Sequence, residues 1–249
     1  MTETYIIGDS QTRALMHAAN AWTGDALPPM RLMPLGSAVQ FWEPFYTVKP
    51  ASIELTPDEC ASRMQRVFGT TEITNERLWG FCLGFTTVGF FRYGLWEQYS
   101  LHDRNPRGRH VISKAAAAQI ARGMFEEILK FYELLIERGY AFFVISGAPL
   151  PQHNPHLKEA VREDVIFADK FYRDLYAKEL SAHGIDFILP PDEVKDHDGL
   201  LLPQYRHPTP DDRHHANKEY GALMLARVVD YIRARLGKEA TVIRQAKLE

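Results

Sequence analysis

The chain has 249 residues, and its 29 Lys and Arg against 32 Asp and Glu give a formal net charge of −3. With 45% hydrophobic and 24% charged residues, it has the composition of an ordinary globular protein. The small net charge excludes a general basic field, so we expect no nucleic-acid and no membrane partner. The two cysteines, Cys60 and Cys82, lack the spacing of a metal knuckle or a disulfide framework.

No apolar stretch is long enough to span a bilayer, and the first residues lack the basic and apolar regions of a signal peptide. We therefore expect a cytoplasmic protein. No internal repeat and no linker rich in Pro, Gly or Ser divides the sequence. The simplest organisation is a single domain over residues 1–249.

Short apolar runs alternate with segments of helical periodicity along the whole chain. The runs predict five buried strands, at 4–8, 30–36, 78–84, 140–147 and 185–190. The periodic segments predict helices at 10–22, 56–69, 113–139, 156–184 and 216–237. Such alternation is typical of an α/β fold, in which a doubly wound parallel sheet lies between two layers of helices.

Two of the predicted helices carry clear end signals. Thr56 is a candidate N-cap, and Glu59 three residues later would complete a capping box. The longest predicted helix has Ser113 as its candidate N-cap and Gly139 as its terminator.

In a parallel sheet with helices on both faces, ligands bind beyond the carboxyl ends of the strands. Ser10, Gly36 and Thr86 all follow predicted strands closely, as does the loop at 147–154. We therefore expect these residues to lie along one edge of the sheet.

A serine hydroxyl becomes a nucleophile when a base, usually histidine, lies within hydrogen-bond reach and a carboxylate orients that base. Ser10 ends the sequence Gly-Asp-Ser directly after the first strand. The segment Asp-Asp-Arg-His-His at 211–215 supplies both partners before the last helix. Spacing alone permits two registers, Asp212 with His215 or the preceding acid with His214.

The two end motifs resemble those of the SGNH (GDSL-like) hydrolase superfamily. Its first motif is Gly-Asp-Ser, matched at 8–10, and its last is Asp-x-x-His followed by Asn, matched by Asp212, His215 and Asn217. The resemblance implies Ser10 as nucleophile, His215 as general base and Asp212 as the acid that orients it. It also implies a flavodoxin-like sheet with five strands in the order 2-1-3-4-5.

The middle motifs of the family hold the oxyanion. The resemblance assigns this role to the backbone N–H groups of Ser10 and Gly36 and to an Asn side chain in a Gly-x-Asn block. Here that block reads Gly-Phe-Thr at 84–86, so Thr86 stands where the family has Asn.

This departure leaves the third oxyanion donor open, and losing such a donor typically costs about 10²–10³ in rate. Either Thr86 or Thr87 supplies a hydroxyl instead, or Asn154 in the loop after the fourth strand acts as a displaced donor.

Three residues are predicted to contact substrate, namely Asp9 beside the nucleophile, Trp42 in the aromatic segment at 41–46, and Asn154. The basic segment at 102–110 contains three arginines that would suit an anionic or sugar substrate. These are Arg104, Arg107 and Arg109.

Asp-His-Asp-Gly at 196–199, together with His207 and His214, raises the question of a metal. The spacing is not that of a zinc or EF-hand site, so we predict no metal and no cofactor.

The sequence thus predicts a serine esterase that acts on a small acyl ester, with O-acetylated carbohydrate as a candidate substrate. Two alternatives stay open. Transfer of the acyl group to a glycan hydroxyl would use the same acyl-enzyme. The absent Asn also fits a catalytically silent binding module.

Overall fold

The computed structural model describes residues 3–87, 89–91, 95–101 and 108–246, which form ten strands and six α-helices. The strands are β1 (Thr4–Asp9), β2 (Met30–Gly36), β3 (Tyr46–Val48), β4 (Ile53–Leu55), β5 (Glu72–Ile73), β6 (Leu78–Cys82), β7 (Tyr99–Ser100), β8 (His110–Val111), β9 (Ala141–Ile145) and β10 (Phe187–Ile188). The helices are α1 (Thr12–Asn20), α2 (Asp58–Phe68), α3 (Leu95–Gln98), α4 (Lys114–Glu137), α5 (Arg162–Ala182) and α6 (Lys218–Ala246).

Five strands form the central parallel sheet in the order β2-β1-β6-β9-β10. Counted among themselves, these strands have the order 2-1-3-4-5, so the predicted fold class and strand order are confirmed. The order reverses at β1, which lies between β2 and β6. A ligand site is therefore expected at the carboxyl end of β1, because the connections from neighbouring strands leave the sheet in opposite directions there and open a crevice.

Helices cover both faces of this sheet because successive side chains of each strand point to opposite faces. In β1, Tyr5 and Ile7 pack into the larger apolar cluster with α2, α4 and α5. Ile6 packs into the smaller cluster with α1 and α6. These two clusters are the cores of the three-layer architecture.

Of the two predicted N-caps, one is wrong and one is confirmed. The capping box predicted for α2 is wrong: Pro57 is the residue before the first turn, and no side chain caps it. The backbone N–H of Thr56 instead donates to the Phe45 carbonyl at 2.8 Å, which places this residue beside a neighbouring loop. The cap predicted for α4 is confirmed, since Ser113 Oγ accepts the Ala116 N–H at 3.1 Å.

Two small sheets lie outside the predicted pattern. β3, β4 and β5 pair antiparallel, and β7 pairs with β8 in parallel. These strands are two or three residues long, too short for an apolar alternation to be recognised in the sequence. Among the described helices, none is both long and apolar enough to cross a membrane.

Candidate functional site

Ser10 lies in the turn that joins β1 to α1. Its carbonyl accepts the Arg13 N–H at 3.2 Å, so the helix begins directly after the serine. Asp9 Oδ1 accepts the Gln11 N–H at 2.8 Å and braces the same turn from the strand side. Ser10 is thereby held at the carboxyl edge of the sheet and at the N-terminal end of a helix, where the helix dipole favours negative charge.

The carboxyl group of Asp9 is buried, with 2% of the residue exposed. Burial raises its pKa to about 7, since the charged form loses its hydration, and the hydrogen bond from Gln11 only partly opposes this.

Three side chains form a hydrogen-bonded chain at this edge. His215 Nε2 lies 2.8 Å from Ser10 Oγ, although the two residues are 205 positions apart in sequence. His215 Nδ1 lies 2.9 and 2.8 Å from the two carboxylate oxygens of Asp212. If Nδ1 carries the proton donated to the carboxylate, Nε2 is free to accept the serine O–H.

Asp212 is fixed by its own turn. Its Oδ1 also accepts the backbone N–H groups of His214 at 3.2 Å and His215 at 3.0 Å. Burial acts to raise the pKa of this carboxyl, but the hydrogen bonds from His215 and from the backbone outweigh it and keep the pKa below its usual value. Asp212 therefore stays ionised near neutral pH.

The alternative register is not assembled. The His214 backbone carbonyl accepts a hydrogen bond from Gln11 Nε2 at 3.0 Å. Among the described residues, the ring atom Nδ1 of His214 has no hydrogen-bond partner. Burial lowers the pKa of His214, and the neighbouring His215 lowers it further. Asp211 is exposed to solvent. The structure thus brings Asp212 and His215, and not the preceding pair, to Ser10.

Gly36 lies next to the Ser10 turn because it pairs with Asp9 across β1 and β2. The side chain of Gln40 folds back over this position, where its Oε1 accepts the Ser37 N–H at 2.9 Å. A Cβ atom on residue 36 would lie 1.7 Å from that oxygen. A larger residue at position 36 would therefore displace the Gln40 side chain from its contact with Ser37.

Two small depressions, each of about 10 Å³, flank the Ser10 turn. Asp9 and Trp42 line the first, and Gln11 and Asn154 line the second. Thr86 lines both. The structure therefore gathers the sequence-predicted substrate residues around the predicted nucleophile, with Thr86 between them.

The two threonines of the third motif differ in their contacts. Thr87 is buried, and its hydroxyl donates to Asp169 Oδ1 at 2.6 Å. Thr86 is half-buried, and its hydroxyl has no hydrogen-bond partner among the described residues. Of the two, Thr86 is thus the one whose hydroxyl is available to a ligand.

Asn154 joins two loops of the site. It is buried, its Nδ2 donates to the Arg213 carbonyl at 3.2 Å, and its Oδ1 accepts the His156 N–H at 3.0 Å. One of the two amide hydrogens is therefore used to hold the segment that carries Asp212.

The other sequence candidates lie elsewhere. Arg104 and Arg107 lie outside the described residues. Arg109 is buried in an ion pair with Asp164, so the expectation that it contacts substrate is not supported by its surroundings. Of the aromatic segment, Phe45 is wholly buried in the core.

The segment Asp-His-Asp-Gly at 196–199 forms a turn. In this turn Asp196, His197 and Asp198 lie close together, with potential metal-ligand atoms within 4.8 Å of one another. Asp196 Oδ1 accepts the backbone N–H groups of Asp198 and Leu200, both at 2.9 Å. His207, which the sequence grouped with these residues, lies instead beside the Ser10 site. Its Nδ1 is 3.6 Å from Asp212 Oδ2.

A cavity with a volume of about 470 Å³ lies between α5 and the segment 192–200. Ser10, Asp212 and His215 are not among its lining residues.

Sequence reasoning missed two residues of the site. Gln11 ties the Ser10 turn to the turn that carries His215 through the His214 carbonyl, and its position next to Ser10 was the one available signal. His207 approaches Asp212 because its backbone N–H donates to the His215 carbonyl at 3.1 Å. The sequence carries no signal for that contact.

Neither a family model nor a curated protein matches the sequence. Several solved structures resemble the chain. One from Streptococcus pneumonia, whose name refers to platelet activating factor, has a TM-score of 0.50 at 12% identity and covers 92% of this chain and 83% of its own. A GDSL-like lipase from Bacteroides thetaiotaomicron has a TM-score of 0.46 at 13% identity, with coverage of 94% and 89%.

A carbohydrate acetylesterase from Sinorhizobium meliloti has a TM-score of 0.46 at 16% identity, with coverage of 94% of this chain and 99% of its own. At such low identities the likeness concerns the fold, and the names belong to those proteins.

Proposed function

We propose that this protein, which has the fold of the SGNH (GDSL-like) hydrolases, is a serine esterase that hydrolyses small acyl esters. The observation that carries the proposal is the hydrogen-bonded chain from Ser10 through His215 to Asp212. Its members come from opposite ends of the sequence, and each has the chemistry its position requires.

In the proposed acylation step, Ser10 Oγ attacks the ester carbonyl while its proton moves to His215 Nε2. The ionised Asp212 stabilises the imidazolium that forms and keeps the ring in the required orientation. His215 then returns the proton to the oxygen of the departing alcohol as the ester C–O bond breaks, and the acyl group remains on Ser10.

In the proposed deacylation step, His215 takes a proton from a water molecule as its oxygen attacks the acyl-serine carbonyl. His215 then returns the proton to Ser10 Oγ as the bond between the acyl carbon and the serine oxygen breaks, and the carboxylic acid leaves. The negative oxygen of each tetrahedral intermediate would be stabilised by the backbone N–H groups of Ser10 and Gly36, with the Thr86 hydroxyl as the third donor. These groups are held in place before substrate arrives, which is what makes such donors effective.

We favour a short acyl group such as acetyl because the depressions next to the Ser10 turn are small. Each has a volume of about 10 Å³, which is room for about one water molecule. An O-acetylated carbohydrate is the first candidate, carried over from the resemblance to the family. The single-domain organisation and the cytoplasmic location stay predictions.

Labelling with a small fluorophosphonate, followed by peptide mapping by mass spectrometry, tests the proposal. We expect one adduct, on Ser10, in the wild type. His215→Ala removes the base, so the adduct should be lost. His214→Ala is the matched control, since this neighbouring side chain lies outside the hydrogen-bonded chain, and its loss of labelling should be milder than that of His215→Ala.

Equal losses in the two histidine variants would contradict the assigned register. A folded wild type that takes no label would contradict the proposed function and favour a binding module. Where labelling succeeds, acetylated sugars are the first substrates to screen. An added glycan acceptor that diverts the acyl group from water would reassign the protein as an acyltransferase.

A further inference from the structure

The loop that carries Thr86 is held by one face of a neighbouring helix. This loop follows β6 and spans residues 83–87. On α5, Asp169, Tyr172 and Tyr176 are three and four residues apart, so their side chains lie along a single face. All three are buried, with exposed fractions of 6%, 2% and 0%.

Each of these side chains bonds to the loop. The Tyr172 hydroxyl donates to the Gly84 carbonyl at 2.9 Å, and the Tyr176 hydroxyl donates to the Leu83 carbonyl at 3.2 Å. Asp169 accepts the Thr87 hydroxyl at 2.6 Å. The residues on either side of Thr86 are therefore bound to α5, while the Thr86 hydroxyl is not.

Gly84 and Tyr176 fit each other sterically as well. Gly84 has φ = 87°, a left-handed conformation that favours glycine. A Cβ atom at this position would lie 2.1 Å from the Tyr176 hydroxyl. The tyrosine hydroxyl therefore fills the space that a side chain at residue 84 would need.

The charge of Asp169 is balanced on the same helix. Arg173 Nε donates to Asp169 Oδ2 at 3.0 Å, and Arg173 Nη2 donates to the Ala148 carbonyl at 2.8 Å in the loop after β9. α5 thus ties together two loops at the carboxyl edge of the sheet.

We propose that Tyr172 and Tyr176 are positioning residues that hold Thr86 at the oxyanion site through the carbonyls of the preceding loop residues. This inference rests on the proposed esterase function and explains how a threonine serves where the family has asparagine. A threonine hydroxyl is on a shorter side chain than an asparagine amide, so its reach depends more strongly on where the backbone is held.

Removing either hydroxyl would leave a buried carbonyl without its donor, which is unfavourable unless the loop shifts. A displacement of about 1 Å at a reacting group is enough to cost roughly 10² in rate. The phenylalanine variants keep the ring contacts of both tyrosines with Phe125 and its neighbours, so the fold is expected to persist.

The test compares Tyr172→Phe and Tyr176→Phe, singly and combined, with Tyr220→Phe. Tyr220 is the matched control because it is buried in the opposite layer and its hydroxyl has no partner among the described residues. We expect the combined variant to lower kcat about 10- to 100-fold with KM changed by less than about twofold, and the control to match the wild type. Fluorophosphonate labelling of Ser10 should slow in parallel.

A double-mutant cycle with Thr86→Val separates positioning from a general structural role. Thr86→Val should lower kcat, and the tyrosine substitutions should then cause little further loss because they act through Thr86. The inference is overturned if Thr86→Val leaves kcat unchanged, if the losses are additive, or if Tyr220→Phe has the same effect. A wild type that is not labelled at Ser10 overturns the proposed function itself, and the inference with it.

Discussion

The two loops that carry the candidate chemistry are held in place by different kinds of contact. The Asp212 and His215 side chains bond to each other and to the backbone of their own turn, and they are 21% and 19% exposed. The loop at 83–87 is held by α5, through tyrosines that are almost fully buried.

The difference shows which features a sequence can reveal. A turn held by contacts three residues apart leaves a local motif, and Asp-x-x-His is such a motif. A loop held by a helix 82 to 93 residues later leaves no local motif, because its partners are distant in sequence. The first loop should therefore tolerate changes in the core better than the second.

Removing the charge of Asp212 should have the largest effect. In Asp212→Asn the turn keeps an acceptor for the backbone N–H groups, but His215 loses the carboxylate that fixes its tautomer. We expect kcat to fall by about 10³–10⁴ with little change in the unfolding free energy. Steady-state kinetics on a small ester, together with denaturant unfolding, measures both.

Asp211→Asn is the control for this change because Asp211 is the neighbouring, exposed acid. It should leave kcat near the wild-type value. If Asp211→Asn is the more damaging substitution, the turn positions a different acid from the one described here.

Asp9 precedes Ser10, and its buried carboxyl makes the stability of the fold depend on pH. In the unfolded chain its carboxyl loses its proton near pH 4, whereas burial raises the pKa in the folded chain to about 7. Between these values the folded state binds more protons than the unfolded state, so stability falls as pH rises. Between pH 5 and pH 8 we expect Asp9 to lower the free energy of unfolding by about 2–3 kcal/mol.

Asp9→Asn keeps an oxygen for the Gln11 N–H and has no proton to lose. Urea unfolding at pH 5 and pH 8 should show that this variant lacks the Asp9 contribution, whereas Asp211→Asn behaves as the wild type. An unchanged pH dependence in Asp9→Asn would mean that the buried carboxyl ionises normally.

Thr86→Asn should produce the smallest effect and one of opposite sign. If α5 holds the loop at 83–87 in the position that the SGNH family pattern requires, an asparagine amide at residue 86 restores the oxyanion donor of that pattern. In that case kcat should rise by up to about 10-fold. Thr87→Val, next to it, removes the hydroxyl that bonds to Asp169 and should lower kcat. A fall in both variants would show that Thr86 has a structural role.

Much of the fold was predictable because the pattern of buried strands is strong. The five parallel strands were all predicted, the end motifs were matched at 8–10 and 212–217, and the resemblance to SGNH hydrolases is confirmed for the fold. The boundaries were less well predicted, as at β10, which has two residues where six were expected.

The remainder of the site depends on contacts between distant segments. The spacing of Asp169, Tyr172 and Tyr176 is visible in the sequence, but a buried stripe of that kind usually indicates ordinary helix packing. The burial of Arg109 against Asp164 is equally unpredictable from the basic segment around it. Such pairings become visible when the tertiary structure is known.

The distance in sequence between Ser10 and His215 makes the proposed site a reporter of local opening. His215 lies beside Ser10 when the turn at 207–217 is docked against the first strand and its loops, by contacts that include those of Gln11 and Asn154. Any state in which this turn detaches separates His215 from Ser10, even while the central sheet persists. The rate of active-site labelling in mild denaturant should therefore decline before the spectroscopic signals of global unfolding.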